Sequence, residues 1–249
     1  MAVRWVGLLL WLGLCLAGCR HNAPSQSEIL LVEFATSLEG RTQGQRYNAM
    51  LAAKRVNGTI LQPGELWSFN EAVGPWVRSE GYVRAPVSYG GILVPAWGGG
   101  VCQTSTTLYN AALLAGLEVV ERHAHIIAPS YIPSGRDAAV AQGIADLKLR
   151  NPYPFPCRVQ FTVARSRLVC KIYAHASAAT VRQHVPECSL IPERLSSSPA
   201  PVVVGFCTQT GRAGVRVRLW RVCTLNGETW RELCHESQYA PLPRGVNAR

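Results

Sequence analysis

The chain has 249 residues, 48% of them hydrophobic and 16% charged, a balance that excludes a disordered polymer and allows one large domain or two small ones. The formal net charge is +10, carried almost entirely by arginine, since lysine occurs only at Lys54, Lys148 and Lys171. A basic surface favours anionic partners such as lipid head groups, acidic wall polymers or nucleic acid; arginine-biased genome composition explains it equally well, and no RNP, zinc-finger or helix-turn-helix pattern supports nucleic acid.

At the N-terminus, Arg4 precedes an apolar run from Trp5 to Ala17. The run is too short for a comfortable membrane span and has the form of a secretory signal. Leu16-Ala17-Gly18-Cys19 resembles a bacterial lipobox, in which the cysteine is lipidated and becomes the new N-terminus. Residues 1–19 therefore read as a lipoprotein signal and 20–27 as a tether, with an ordinary cleaved signal as the other reading. The expected location is the outer face of a bacterial membrane, held through lipid on Cys19. Export makes disulfides admissible. Cys157, Cys170, Cys188, Cys207, Cys223 and Cys234 predict up to three of them, while Cys102 stands apart as a free thiol.

Along the rest of the chain, "EILLVEFATSL" predicts a strand and "RYNAMLAAKRVNG" a helix with Met50, Ala53 and Val56 inward. "TILQPGELWSFN" reads as strand, turn, strand, and Trp76–Gly100 as a loop with short strands. Gly98-Gly99-Gly100 then opens a helix whose buried face is Leu108, Ala111, Ala112 and Ala115, closed by Gly116. Leu117–Ile127 alternates, placing Val119, Glu121, His123 and His125 on one strand face. "YIPSGRDAAV" is a turn entering a strand, "DLKLRN" a strand, and Arg165-Ser166 the turn of a hairpin. Residues 176–201 are rich in Ser, Ala and Pro and read as a linker. A last hairpin turns at Asn226-Gly227, which sets Cys223 opposite Trp230 and so excludes a Cys223–Cys234 bond. The fold class is α+β: a mixed, mostly antiparallel sheet packed on a central helix that starts at the Gly-Gly-Gly-Val-Cys loop. The domains are a core over 28–175, the linker, and a hairpin extension over 202–249 packed on that core.

A cysteine in the first turn of a helix feels the positive end of the dipole, which stabilises its thiolate. The unpaired N–H groups there suit an oxyanion. Cys102 is therefore the candidate nucleophile, Gly99 and Gly100 let a substrate approach the chain, and Gln103, Thr104 and Ser105 are candidate contacts. His123 or His125 supplies the base, and Asp137 or Asp146 the carboxylate that fixes the ring tautomer. The opposing reading makes Cys102 a small core hydrophobe and both histidines ordinary strand residues. A His-x-His metal site lacks further ligands at recognisable spacing, and the glycine run lacks the Lys-Ser/Thr of a phosphate loop. No cofactor and no metal is expected.

"PGELWSFNEAVGP", "GGGVCQTSTTLYNAALLAGLEVVERHAHI", "YIPSGRDAAV" and "DLKLRN" together resemble the VanW family, over about Phe34 to Tyr239. Thr104 stands where that pattern leads one to expect valine, and the C-terminal cysteines are not a family feature. Some VanW-domain proteins are associated with L,D-transpeptidation of peptidoglycan through a cysteine acyl-enzyme. The resemblance implies Cys102 as nucleophile, His125 rather than His123 as the histidine after Glu-Arg, and Asp137 as the Asp of Gly-x-Asp-Ala, with Arg136 and His123 beside the substrate. The implied partners are peptidoglycan stem peptides and the membrane. The rival readings are a stem-peptide peptidase and a non-catalytic module gripping wall material with Trp67, Trp76, Tyr82, Tyr89 and Trp97.

Overall fold

A computed structural model describes residues 28–89, 92–204 and 211–246. Cys19, the signal and tether, and Cys207 lie outside the described residues. The chain forms β1 (Glu28–Ser37), α1 (Gln43–Val56), β2 (Ile60–Leu61), β3 (Leu66–Ser68), α2 (Phe69–Val73), β4 (Arg84–Tyr89), β5 (Ile92–Trp97) and α3 (Val101–Leu114). It continues through β6 (Glu118–Glu121), β7 (Lys148–Arg150), β8 (Cys157–Ala164), β9 (Arg167–His175), α4 (Ala178–His184) and β10 (Glu187–Ser198). The last elements are β11 (Val202–Val204), β12 (Gly214–Leu225), β13 (Glu228–Tyr239) and β14 (Arg244–Val246). The architecture is α+β with mostly antiparallel pairing. Instead of one sheet there are several, in the orders β1-β9-β8-β2, β3-β7-β6 and β10-β12-β13, with the pairs β4-β5 and β11-β14.

Helix α3 is the hub, touching α1, β1, β9, β6 and β10. Leu108, Ala111, Ala112 and Ala115 are all buried, as the spacing predicts. Its polar residues are buried too, and each is tied to a neighbour, which is what makes such burial tolerable. Thr107 Oγ1 bonds Thr36 Oγ1 of β1 at 2.8 Å, and Asn110 Nδ2 donates to Thr106 O and Arg136 O at 2.8 and 2.7 Å. Where α1 meets α3, small residues allow close approach: Ala49, Ala52, Ala53 and Val56 are buried. Met50, expected inward, is 44% exposed, because the alanines beside it form the packed face.

Gly100 opens α3 at φ +115°, and a Cβ there would lie 2.2 Å from Gln45 O of α1. The backbone approach that glycine permits is therefore made by α1. Gly99 is filled likewise, its absent Cβ facing Ala85 O at 2.6 Å.

The turns at Arg165-Ser166 and Asn226-Gly227 have the positive φ of tight hairpins, and Cys223 does pair with Trp230. One expectation fails. Residues 176–201 hold α4 and β10, and β10 runs antiparallel to β12 from Glu187↔Thr224 to Ser198↔Gly214, so this stretch is structured through its backbone ladder. Among the described residues a single disulfide forms, Cys188–Cys223 between β10 and β12. Cys157 and Cys170 are free and fully buried in the four-stranded sheet, where they pack as small hydrophobes.

Candidate active site

Cys102 is half-buried in the first turn of α3. Val101 N–H and Gln103 N–H turn back onto Gly98 O and Gly100 O, each at 3.0 Å. The first turn of a helix supplies no acceptor for the Cys102 N–H itself, and among the described residues no backbone carbonyl outside the helix takes it. The thiol donates to Val140 O at 3.4 Å, and Tyr131 Oη donates to Cys102 O at 3.2 Å.

Strand β6 ends at Glu121, and beyond it only His123 bridges Ala139. The chain then folds His125 toward Asp137, which is wholly buried. Asp137 Oδ2 accepts from His125 N at 2.8 Å and from His125 Nδ1 at 2.6 Å. A carboxylate only accepts, so Nδ1 carries the proton and Nε2 is left for the thiol. Burial alone pushes the Cys102 thiol up, but the hydrogen bond and charge of His125, helped by the Val140 backbone, outweigh it, and the thiol falls below its ordinary value. Burial likewise opposes the imidazolium, yet its hydrogen bonds to Asp137 and Cys102 raise His125 to about 10. Asp137 drops to about 2, burial being overcome by His125 and by Arg122. The three groups thus favour a thiolate–imidazolium pair.

The other oxygen of Asp137 is held by residues the sequence did not single out. Oδ1 accepts from Arg122 Nη2 at 2.8 Å and from the Tyr239 hydroxyl, while Arg122 Nε donates to Asp137 O at 2.6 Å and Nη1 to Ser237 Oγ at 2.7 Å. Tyr239 Oη in turn accepts from Gly135 N at 2.7 Å. Behind them, His235 Nε2 donates to Gly135 O at 2.9 Å, so its Nδ1 accepts from Tyr109 Oη at 3.1 Å. Burial and the Arg122 charge lower His235 to about 4, keeping it neutral. Ser237, Tyr239 and His235 all lie on β13, so the last hairpin braces the carboxylate.

Several predicted site residues lie elsewhere. Asp146 accepts from Ser68 Oγ at 2.5 Å and Asn70 N at 2.9 Å, capping α2 rather than orienting a histidine. Gln103 donates to Ser37 O at 2.7 Å, Thr104 to Ala49 O at 2.8 Å and Ser105 to Ala138 O at 2.7 Å, and all three are buried, so they anchor α3 and do not face a substrate. Gly99 and Gly100 pack against β4 and α1 rather than line an approach path. His123 is exposed and bonds Glu121 at 3.0 Å. Arg136 Nε donates to Asn110 Oδ1 at 2.8 Å, and its guanidinium lies over Phe34. Of the aromatics, Tyr82 is core, Trp67 and Trp76 are half-buried, and Tyr89 and Trp97 stand out on the β4–β5 hairpin. Among the described residues no group of three or more His, Cys, Asp or Glu is placed to hold a metal ion.

The family described as "VanW like protein" matches residues 44–173, a stretch that contains Cys102, His125 and Asp137 but not β13. The chain is similar to "Uncharacterized protein YoaR" of Bacillus subtilis (strain 168), with 32% identity over 168 residues, 67% of this chain and 55% of that protein. It is also similar to "Vancomycin B-type resistance protein VanW" of Enterococcus faecalis (strain ATCC 700802 / V583), with 29% identity over 133 residues, 51% of this chain and 48% of that protein. The chain spans about half the length of the curated relatives it matches. No solved structure matches it.

Proposed function

The chain belongs to the VanW-like family, and from that premise we propose that it acts on peptidoglycan stem peptides through a cysteine acyl-enzyme, in the manner of an L,D-transpeptidase. The observation that carries the reading is the line from Cys102 through His125 to Asp137, with the thiol lowered and the imidazole raised. The name of the Enterococcus faecalis relative concerns vancomycin resistance, which supports a cell-wall setting. The same reading keeps the protein at the outer face of a bacterial membrane, held by lipid on Cys19.

The Cys102 thiolate attacks the carbonyl carbon of the third residue of a tetrapeptide stem, forming the S–C bond and an oxyanion that the Cys102 N–H meets. His125 gives its Nε2 proton to the leaving nitrogen, the C–N bond breaks, and the terminal D-residue departs. An amine of a second stem attacks the thioester and returns a proton to His125, which releases the cross-linked peptide and the thiolate. Water in place of the amine gives carboxypeptidation. No cofactor takes part in this scheme. Asp137 keeps its charge throughout and holds the ring.

Intact-mass spectrometry of the protein mixed with purified tetrapeptide muropeptides tests this. The expected result is an adduct on Cys102, free D-amino acid and dimeric muropeptide, all absent from Cys102→Ala. No adduct and no turnover, with Cys102 also inert to an alkylating reagent in the folded protein, would leave a non-catalytic wall-binding module.

A further inference from the structure

Arg41 stands in the turn between β1 and α1, next to Thr42, the N-cap of α1. One contact of its own and one of the neighbouring helix turn set it near Cys102. Its guanidinium lies 4.5 Å over the ring of Tyr131, whose hydroxyl donates to Cys102 O. The first turn of α1 also presses Gln45 O against Gly100, two residues before Cys102. Arg41 is half-buried, and burial lowers its pKa.

A half-desolvated cation normally has a carboxylate beside it. Arg55 has Glu80, Arg122 has Asp137, Arg158 has Glu28 and Arg221 has Glu232. Among the described residues the Arg41 guanidinium has neither an ion-pair partner nor a hydrogen-bond acceptor, only the ring of Tyr131. No acidic residue lies in the first turn of α1 to compensate it. Arg46 adds a second positive charge there, its Nε donating to Arg41 O at 3.1 Å. Such a fork of donors matches a carboxylate in two-point fashion.

We propose that Arg41 is a substrate-binding residue that anchors a carboxylate of the peptide attacked by Cys102. The inference rests on the acyl-enzyme reading for the identity of the peptide, but it is read from binding and not from turnover. The carboxylate has two sources, the C-terminus of the stem peptide or an acidic side chain within it.

Calorimetric titration of the full chain carrying Cys102→Ser separates them. The probes are a synthetic tetrapeptide stem in its free-acid form, its C-terminal amide, and its side-chain amide. The expected result is that one amide binds about tenfold more weakly than the free acid, the loss of one charge-assisted contact. Adding Arg41→Gln should erase that difference and bring the free acid to the level of that amide. Arg41→Lys, which keeps the charge but not the fork, should retain part of the preference and so separates a lost contact from a misfolded protein. The proposal is overturned if both amides bind within about twofold of the free acid, if Arg41→Gln keeps the discrimination, or if none of the three peptides binds. Failure of the wild type to form an acyl adduct on Cys102 removes the transpeptidase reading alone.

Discussion

Two parts of this molecule treat a buried thiol in opposite ways. In the four-stranded sheet, no charged group offsets the burial of Cys170 on β9 and Cys157 on β8, and burial pushes Cys157 up to about 12 and Cys170 higher still. At the start of α3, burial acts on Cys102 in the same direction, yet its thiol ends below the ordinary value because His125 faces it. Depth therefore does not fix the direction in which a thiol shifts. A cation held in place by a second buried charge can reverse it, and here that charge is Asp137, itself pinned by Arg122 and Tyr239.

The comparison breaks most severely with His125→Ala. Cys102 should then behave like the sheet cysteines: its alkylation titrates above the ordinary thiol range instead of below it, and adduct formation falls by about 10²–10⁴-fold. A pH series of alkylation rates on the wild type and the variant reads this directly. Asp137→Asn should come next, because it strands the buried Arg122 as well as freeing the imidazole. A loss of about 3–5 kcal/mol in urea unfolding is expected, together with a Cys102 titration that moves up.

The acid limb sharpens the same contrast. Asp137, held at about 2 against its ordinary 3.8, contributes stability that is present above the higher value and lost as pH falls through the lower. His235, held at about 4 against 6.5, also contributes stability present above 6.5 and lost as pH falls through 4. Urea midpoints should therefore decline from pH 7 to pH 3, and Asp137→Asn should flatten the lower part of that decline.

Smaller effects should follow Tyr239→Phe, which removes one of the groups on Asp137 Oδ1: about 1–3 kcal/mol of stability and a modest upward move of the Cys102 titration. A purely structural tyrosine would change the first quantity and not the second. Smallest of all, Cys170→Ala should cost about 1 kcal/mol through lost packing and leave the alkylation profile of Cys102 unaltered.

The elements that position Cys102 were legible because their signals are local. The glycine run, the 3.6-residue apolar spacing after it, and the turns at Arg165-Ser166 and Asn226-Gly227 each act within a few residues. Strand β10 was illegible for a physical reason. It lies at the edge of its sheet, most of its side chains are exposed, and edge strands tolerate a residue such as Pro192, so no apolar alternation marks it. Gln103, Thr104 and Ser105 misled because polar residues beside a candidate cysteine suggest substrate contacts, while a helix buried along most of its length uses the same residues to hold its neighbours. Spacing alone left Asp137 and Asp146 open, since both precede strand-like stretches; the resemblance implied Asp137, and in the fold only Asp137 ends under His125. The bracing by β13 left no local trace, because it joins residues far apart in the chain.

That last distance has a consequence in time. Tyr239 meets Asp137 across 102 positions of sequence. A ribosome delivers Cys102, His125 and Asp137 first and the closing hairpin last, and contacts of such long range form late in folding. A nascent or C-terminally clipped chain thus carries the Cys102 thiol without the strand that braces Asp137. Closing of the β12–β13 hairpin is the step that completes the brace on Asp137.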